Sequence, residues 1–144
     1  LAITTDIIVG FPGETEEDYE ATKAVARRAD FDNAFIFRYS KRRGTPAADL
    51  PDELQLPERV KEERNQDLLT LINAMAKSKY EALVGSEAEV LCEGPSKTNE
   101  ERLSGRTSQN KIVVFDGLRE RLQGQILRVR ATETFGFTLF GEVV

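Results

Sequence analysis

Histidine is absent from this 144-residue chain, and cysteine and methionine each occur once. Without His, neither imidazole acid–base catalysis nor a His metal site can be built from these residues. The lone Cys92 excludes an internal disulfide and fits a reducing compartment. Long hydrophobic runs are also lacking. No apolar stretch approaches the roughly 20 residues of a membrane span, so we expect a soluble, cytoplasmic, monomeric molecule that makes no use of a membrane. The chain opens at Leu1, inside an apolar run, with neither an initiator Met nor a signal-peptide pattern. We expect a segment of a longer protein.

Positive charge is the last shortage. There are 20 Lys and Arg against 25 Asp and Glu, a net charge of -5, which argues against an indiscriminate nucleic-acid binder. The distribution is uneven, however. Between Lys97 and Arg130 stand eight Lys/Arg (97, 102, 106, 111, 119, 121, 128, 130) and four acids (100, 101, 116, 120), a local +4. Such asymmetry fits a binding face for a polyanion, and equally a set of solvated strand edges.

The chain changes character near residues 79–85. Ala2–Val9, rich in Ile, Val and Thr, predicts a strand buried on both faces. Phe11-Pro12-Gly13 breaks it. Thr15 with Asp18 three residues on predicts a capping box opening a helix of about 14 residues, striped by Tyr19, Val25, Ala26 and Ala29. Phe31–Tyr39 predicts the next strand, making a parallel βαβ unit. Ser40–Pro57, with Pro46, Pro51 and Pro57, is an extended loop. A second helix should then run to about Leu83, with Val60, Leu68, Leu71, Ile72 and Met75 as its stripe, the Arg64 stem covering a gap, and Gly85 as its end. Beyond Gly85, five short strands are expected at 88–93, 102–106, 111–115, 125–132 and 137–144. Glycines punctuate them, as in a small closed barrel of the kind that binds oligonucleotides.

Three stretches carry chemistry. At Gly10-Phe11-Pro12-Gly13-Glu14, two glycines beyond a parallel strand would let backbone approach a ligand, and amides at the helix start could hold a polar group; a tight connection needing glycine reads the same way. Lys41-Arg42-Arg43 could clamp phosphates at a strand's carboxyl end, or be a solvated basic loop. In the barrel, Lys97, Arg102, Arg106, Asn110 and Lys111 are candidate RNA contacts, with Asn99 and Asn110 equally suited to turns. Phe115, Phe135, Phe137 and Phe140 divide between stacking on bases and filling the core. Cys92 has no activating neighbour in sequence and reads as a buried strand residue.

Asp6–Thr15, Tyr39-Ser40 with Arg42 and Gly44-Thr45-Pro46-Ala47, and Glu93–Lys111 together resemble the C-terminal part of radical-SAM methylthiotransferases. The resemblance is in particular to the branch that places a 2-methylthio group on N6-isopentenyladenosine beside the tRNA anticodon. It implies an α/β plus all-β chain: the C-terminal part of a radical-SAM (partial TIM) barrel and its linking helix over residues 1–78, then a five-stranded, OB-like TRAM barrel over 79–144 that binds RNA. It implies S-adenosyl-L-methionine and two [4Fe-4S] clusters in the parent enzyme. The cluster cysteines of the family, including CxxxCxxC, have no counterpart here, so this segment should be inactive alone, with no catalytic or metal-ligating residue of its own. Ile8–Glu14 is similar to the family's GxIxGxxE strand beside the adenosyl moiety, with Asp6 at the first glycine, so Gly10, Phe11, Pro12, Gly13 and Glu14 become candidate cofactor residues. Arg42, Lys97, Arg102, Arg106, Asn110 and Lys111 become candidate contacts to a tRNA anticodon stem-loop. The alternatives are the branch that modifies an aspartate of a ribosomal protein, and a non-catalytic RNA-binding adaptor.

Overall fold

A computed structural model describes residues 1–144 and divides them into two compact units, Ile3–Met75 and Ala76–Val144, the second also including Leu1–Ala2. The division falls inside a helix, three residues before the 78/79 boundary expected from sequence.

In the first unit, β1 (Thr4–Val9) and β2 (Asn33–Arg38) pair in parallel from Thr4↔Asn33 to Val9↔Arg38, with α1 (Glu16–Ala29) as the crossover. The sequence dictates where α1 begins. Thr15 accepts from the Asp18 amide at 3.1 Å while the Asp18 carboxylate accepts from the Thr15 amide at 2.9 Å, so two otherwise orphaned N–H groups are satisfied reciprocally. Two short 3₁₀ turns, Pro46–Ala48 and Asp52–Leu54, lead to α2 (Glu58–Glu81). Val9, Tyr19, Ala26, Ala34, Leu68 and Ile72 form the core.

Two expectations need correction. β1 is not buried on both faces: Thr4, Asp6 and Ile8 are exposed, as are Phe35 and Phe37 on the same side of β2, because nothing in this unit covers that face of a two-stranded sheet. In α1, Tyr19 and Ala26 are buried, but Val25 and Ala29 are exposed, since the residues that meet the core recur every seven positions and Val25 lies off that line.

Along α2, residues 64, 68, 72, 76 and 80 are buried, a strict i, i+4 row. Its last members, Ala76 and Tyr80, belong to the second unit, where Tyr80 enters the core. That unit is a closed barrel ordered β3-β4-β5-β7-β6, formed by β3 (Glu87–Pro95), β4 (Leu103–Thr107), β5 (Ile112–Phe115), β6 (Ile126–Phe135) and β7 (Thr138–Val143). Every pairing is antiparallel except β5 with β7. Alternate residues point inward, so Val90, Cys92, Leu103, Val113, Phe115, Val129, Ala131 and Leu139 make the core with Tyr80.

Closure requires strands to bend sharply at two places. Register shifts occur at Cys92/Gly94 and at Ala131/Glu133. Opposite each shift stands a glycine whose added Cβ would meet backbone: Gly105 at 2.3 Å from the Leu91 carbonyl oxygen and Gly141 at 2.4 Å from that of Arg130. A single helical turn, α3 (Arg119–Leu122), links β5 to β6. It was not foreseen, because four residues are too few to show a stripe.

Candidate functional site

Proline at 12 and glycines at 10 and 13 force a compact turn at the end of β1. Gly10 has φ +72, and a Cβ there would lie 2.4 Å from Lys61 Cγ. The turn's donors are then consumed locally. The Gly10 amide donates to Glu14 Oε1 at 3.0 Å, the Gly13 amide to the Leu54 carbonyl at 2.8 Å, and the Glu14 amide to the Phe11 carbonyl at 2.9 Å. Glu14 is in turn gripped by Arg64, which is 7% exposed and binds both its carboxylate and, at 3.2 Å, its carbonyl. The other arm of Arg64 reaches Glu16 at 2.9 Å, and the guanidinium lies 5.2 Å from the centre of the Tyr19 ring. The Tyr19 hydroxyl sits 2.8 Å from Asp67 Oδ2, and burial beside that acceptor pushes its pKa up.

The amides of this turn are therefore engaged within the first unit. Gly10, Gly13 and Glu14 are spent on holding the turn, and Pro12 is buried in it. Phe11 differs. It is 47% exposed and stands edge-on to Tyr39, with ring centres 5.3 Å apart.

Phe11 and Arg42 come together in a cavity of about 650 Å³ at the carboxyl ends of β1 and β2, lined also by Ile8, Phe37, Arg38, Tyr39, Ser40, Thr45 and Ala47. Tyr39 is 9% exposed, and its buried hydroxyl has no hydrogen-bond partner. A buried donor without a partner costs free energy unless something polar meets it. Lys41 and Arg38 are engaged by Asp52 and Glu58, leaving Arg42 as the cavity's unpaired cation. An aromatic wall and one guanidinium fit a ligand with a flat heterocycle and an anionic group. No three His, Cys, Asp or Glu side chains converge as metal ligands in the chain.

The barrel's second candidate surface is the outside of β4, β5 and β7. Inward residues alternate with Ser104 and Arg106 on β4, Ile112 and Val114 on β5, and Thr138 and Phe140 on β7. These form two registered rows, Ser104–Val114–Phe140 and Arg106–Ile112–Thr138. With Glu93, Ser96, Lys97, Thr98 and Phe135 they line a cavity of about 360 Å³. Arg102 stands over the Phe140 ring at 5.4 Å and pairs with Asp116 at 2.8 Å. Arg106 bonds Asn110 Oδ1 at 3.0 Å and lies 3.5 Å from Glu93. Lys97 is exposed and has no acidic partner.

Not every expected contact joins this face. Lys111 is 4% exposed, and its ammonium lies 4.6 Å from the centre of the Tyr80 ring, so the structure places it with the barrel core. Asn110 takes φ +60 and Asn99 accepts from the Glu101 amide, so both act as turn formers. Among the phenylalanines, Phe115 is fully buried, Phe137 packs edge-on to Tyr80 at 6.0 Å, Phe140 is half-buried on the outer wall and Phe135 is 82% exposed. Cys92 is 1% exposed in the core, and burial raises its thiol pKa. Sequence reasoning missed Arg64 as an organiser; its signal was an Arg on the buried row of α2.

The five-stranded barrel carries cations and aromatics on one outer wall, and residues 81–144 match the TRAM domain family. Over its whole length the chain is similar to proteins named tRNA-2-methylthio-N(6)-dimethylallyladenosine synthase. It is 62% identical to that of Akkermansia muciniphila across 98% of the chain, and 52% and 49% identical to those of Moorella thermoacetica and Carboxydothermus hydrogenoformans across all of it. The likeness to these synthases runs through both units. The chain spans 30 to 32% of the length of those relatives. No helix is long and apolar enough to cross a membrane.

Proposed function

We propose that the chain is part of a cytoplasmic tRNA methylthiotransferase that converts N6-isopentenyladenosine beside the anticodon to its 2-methylthio derivative. The observation that carries this reading is the continuity of the likeness: 62% identity runs through both units, 98% of the chain, to a protein bearing that activity in its name. In this reading the βαβ unit belongs to a larger radical-SAM barrel. The exposed apolar side of β1 and β2 supports that, because Ile8, Phe35 and Phe37 lie side by side with nothing in their own unit to cover them.

The strand-end cavity would hold part of S-adenosyl-L-methionine. Phe11, backed by Tyr39, would pack against a heterocycle, and Arg42 would meet an anionic group of the cofactor or RNA. Arg64, through Glu14, keeps the Gly10–Glu14 turn in place beneath Phe11. When bound, the cofactor and the parent's iron–sulfur clusters supply the radical chemistry that an unactivated adenine C2 demands.

The barrel would grip the anticodon stem-loop through Lys97, Arg102 and Arg106. Arg102 and Arg106 must trade exposed carboxylate partners for phosphates, and such exposed pairs contribute only about 0–1 kcal/mol each, so the exchange is cheap. The test is binding of the chain to unmodified anticodon stem-loop RNA across a salt series, beside the K97A/R102A/R106A variant. We expect salt-dependent binding, with the variant weaker and its salt slope shallower by roughly one charge per lost contact. No binding at low salt, or an unaltered slope, would shift the reading to the branch that modifies a ribosomal protein.

A further inference from the structure

The cavity on the barrel's outer wall has a make-up that phosphate binding does not explain. Phosphates need cations and N–H donors; they give no reason to leave Phe135 82% exposed at its lip, or to set Ile112, Val114 and Phe140 outward in one registered block. Val114 points away from the core yet is only 5% exposed, so it is the floor of a real concavity and not part of a flat wall. The volume, about 360 Å³, falls within the range of roughly 300–1,000 Å³ that encloses small organic ligands. Cationic and polar groups surround this apolar floor. Arg102 already stacks over Phe140 at 5.4 Å, Lys97 is free on the rim, and Glu93 with the Ser104 and Thr138 hydroxyls provides hydrogen-bonding groups around the wall.

We propose that this cavity seats one unstacked nucleobase of single-stranded RNA, packed against Phe140 and Phe135, with its phosphates toward Lys97 and Arg102. The proposal rests on the RNA-binding reading of the barrel and adds that the RNA is unpaired where it meets this wall. A duplex keeps its base faces stacked inside and could use only the rim charges, whereas an unpaired nucleotide uses the rim and the apolar floor together. The charge of the rim selects a polyanion over an apolar peptide, and the hydroxyls and carboxylate suit the polar edge of a base.

The experiment uses the 144-residue chain, a 12-nucleotide single-stranded RNA carrying 2-aminopurine at its centre, and a blunt duplex of the same sequence. The expected result is tighter binding of the single strand and a change in 2-aminopurine emission on binding. Phe135→Ala, at a site too exposed to matter for folding, should weaken single-strand binding by about 5- to 150-fold, the span associated with losing one base-stacking contact. It should also abolish the emission change while leaving the salt slope intact; Phe140→Ala should act in the same direction. Equal or tighter duplex binding, or Phe135→Ala and Phe140→Ala variants within twofold of the parent, would overturn the seat. If Lys97→Ala still lowers the salt slope in that case, RNA binding by the barrel survives without it. If neither RNA binds at low salt, the RNA-binding reading falls and the seat with it.

Discussion

The two units bury different chemistry. In Ile3–Met75 a guanidinium sits at the centre: Arg64, on the same helical row as Leu68 and Ile72, holds Glu14 and Glu16 and lies against Tyr19. In the barrel, the core cluster from Tyr80 to Leu139 contains aliphatic and aromatic side chains and one thiol, and the buried cation there, Lys111, lies against the Tyr80 ring. A closed barrel pairs every strand on both sides, so its hydrogen-bond ladders and its packed core hold it together. A two-stranded parallel sheet has two open edges and one uncovered face, and its strand-end turn must be held by something directional. A buried ion pair serves that purpose: its net contribution to stability is small, but its geometry is specific and breaking it is costly.

The comparison can be broken most forcefully from its two centres. Arg64→Ala strands the Glu14 carboxylate, whose side chain is 12% exposed, and should cost the first unit about 3–5 kcal/mol. Phe115→Ala, at a residue 0% exposed, should cost the barrel about 3–5 kcal/mol. Native-state hydrogen exchange at β1 and β5 amides would read each unit separately. Equal losses in both units from either variant would show that the units unfold as one. A double change, Arg64→Met with Glu14→Gln, should restore much of the Arg64→Ala loss, because no buried charge is then unpaired.

Gly10→Ala should come next, at about 1–2 kcal/mol for the left-handed backbone plus whatever Lys61 loses in moving aside. Thermal melts should show it in the first unit, with Tyr39 burial reported by near-UV circular dichroism. A neutral effect would mean the turn relaxes.

Acid should separate the units more gently. Asp18, through its bonds from the Thr15 backbone and hydroxyl, and Asp67, through its bond from Lys23, both have pKa values below the ordinary 3.8, and both lie in the first unit. A depressed folded-state pKa contributes stability that is present above 3.8 and lost as pH falls through the lower folded value. The first unit should therefore weaken below about pH 4 while Asp18→Asn and Asp67→Asn reduce that sensitivity. A titration from pH 6 to pH 2 followed at β1 amides checks it, and a flat profile would refute it.

The smallest effect is a reporter. Cys92 is sealed in the barrel core and its thiol pKa is raised by burial, so alkylation at neutral pH should be slow and should accelerate only with denaturant. Arg64→Ala should leave that rate unchanged if the comparison holds.

Much of this was legible before any fold was known. Thr15 and Asp18 announce the start of α1 because a capping box is local in sequence, and the five strands are readable because glycine punctuation and alternation are local too. The face of each segment was harder. Val25 has the spacing of a core residue and lies in solvent, and Lys111 has the chemistry of an RNA contact and is buried against Tyr80. Arg64 was read as a stem covering a gap, because nothing local shows that Glu14, fifty residues earlier, would reach it.

The amino-acid sequence by itself determined the element order, the change from a βαβ half to a small barrel, and the family resemblance, all of which depend on neighbours within a few residues. Only the tertiary structure decided which of the charged and aromatic side chains work together. It spent the amides of the Gly10 turn internally, brought Phe11, Tyr39 and Arg42 to one cavity, and set Phe135 and Phe140 on the same wall as Lys97 and Arg102. Those are long-range pairings. Their partners are chosen by strand register and by what else is buried nearby, which no local pattern records.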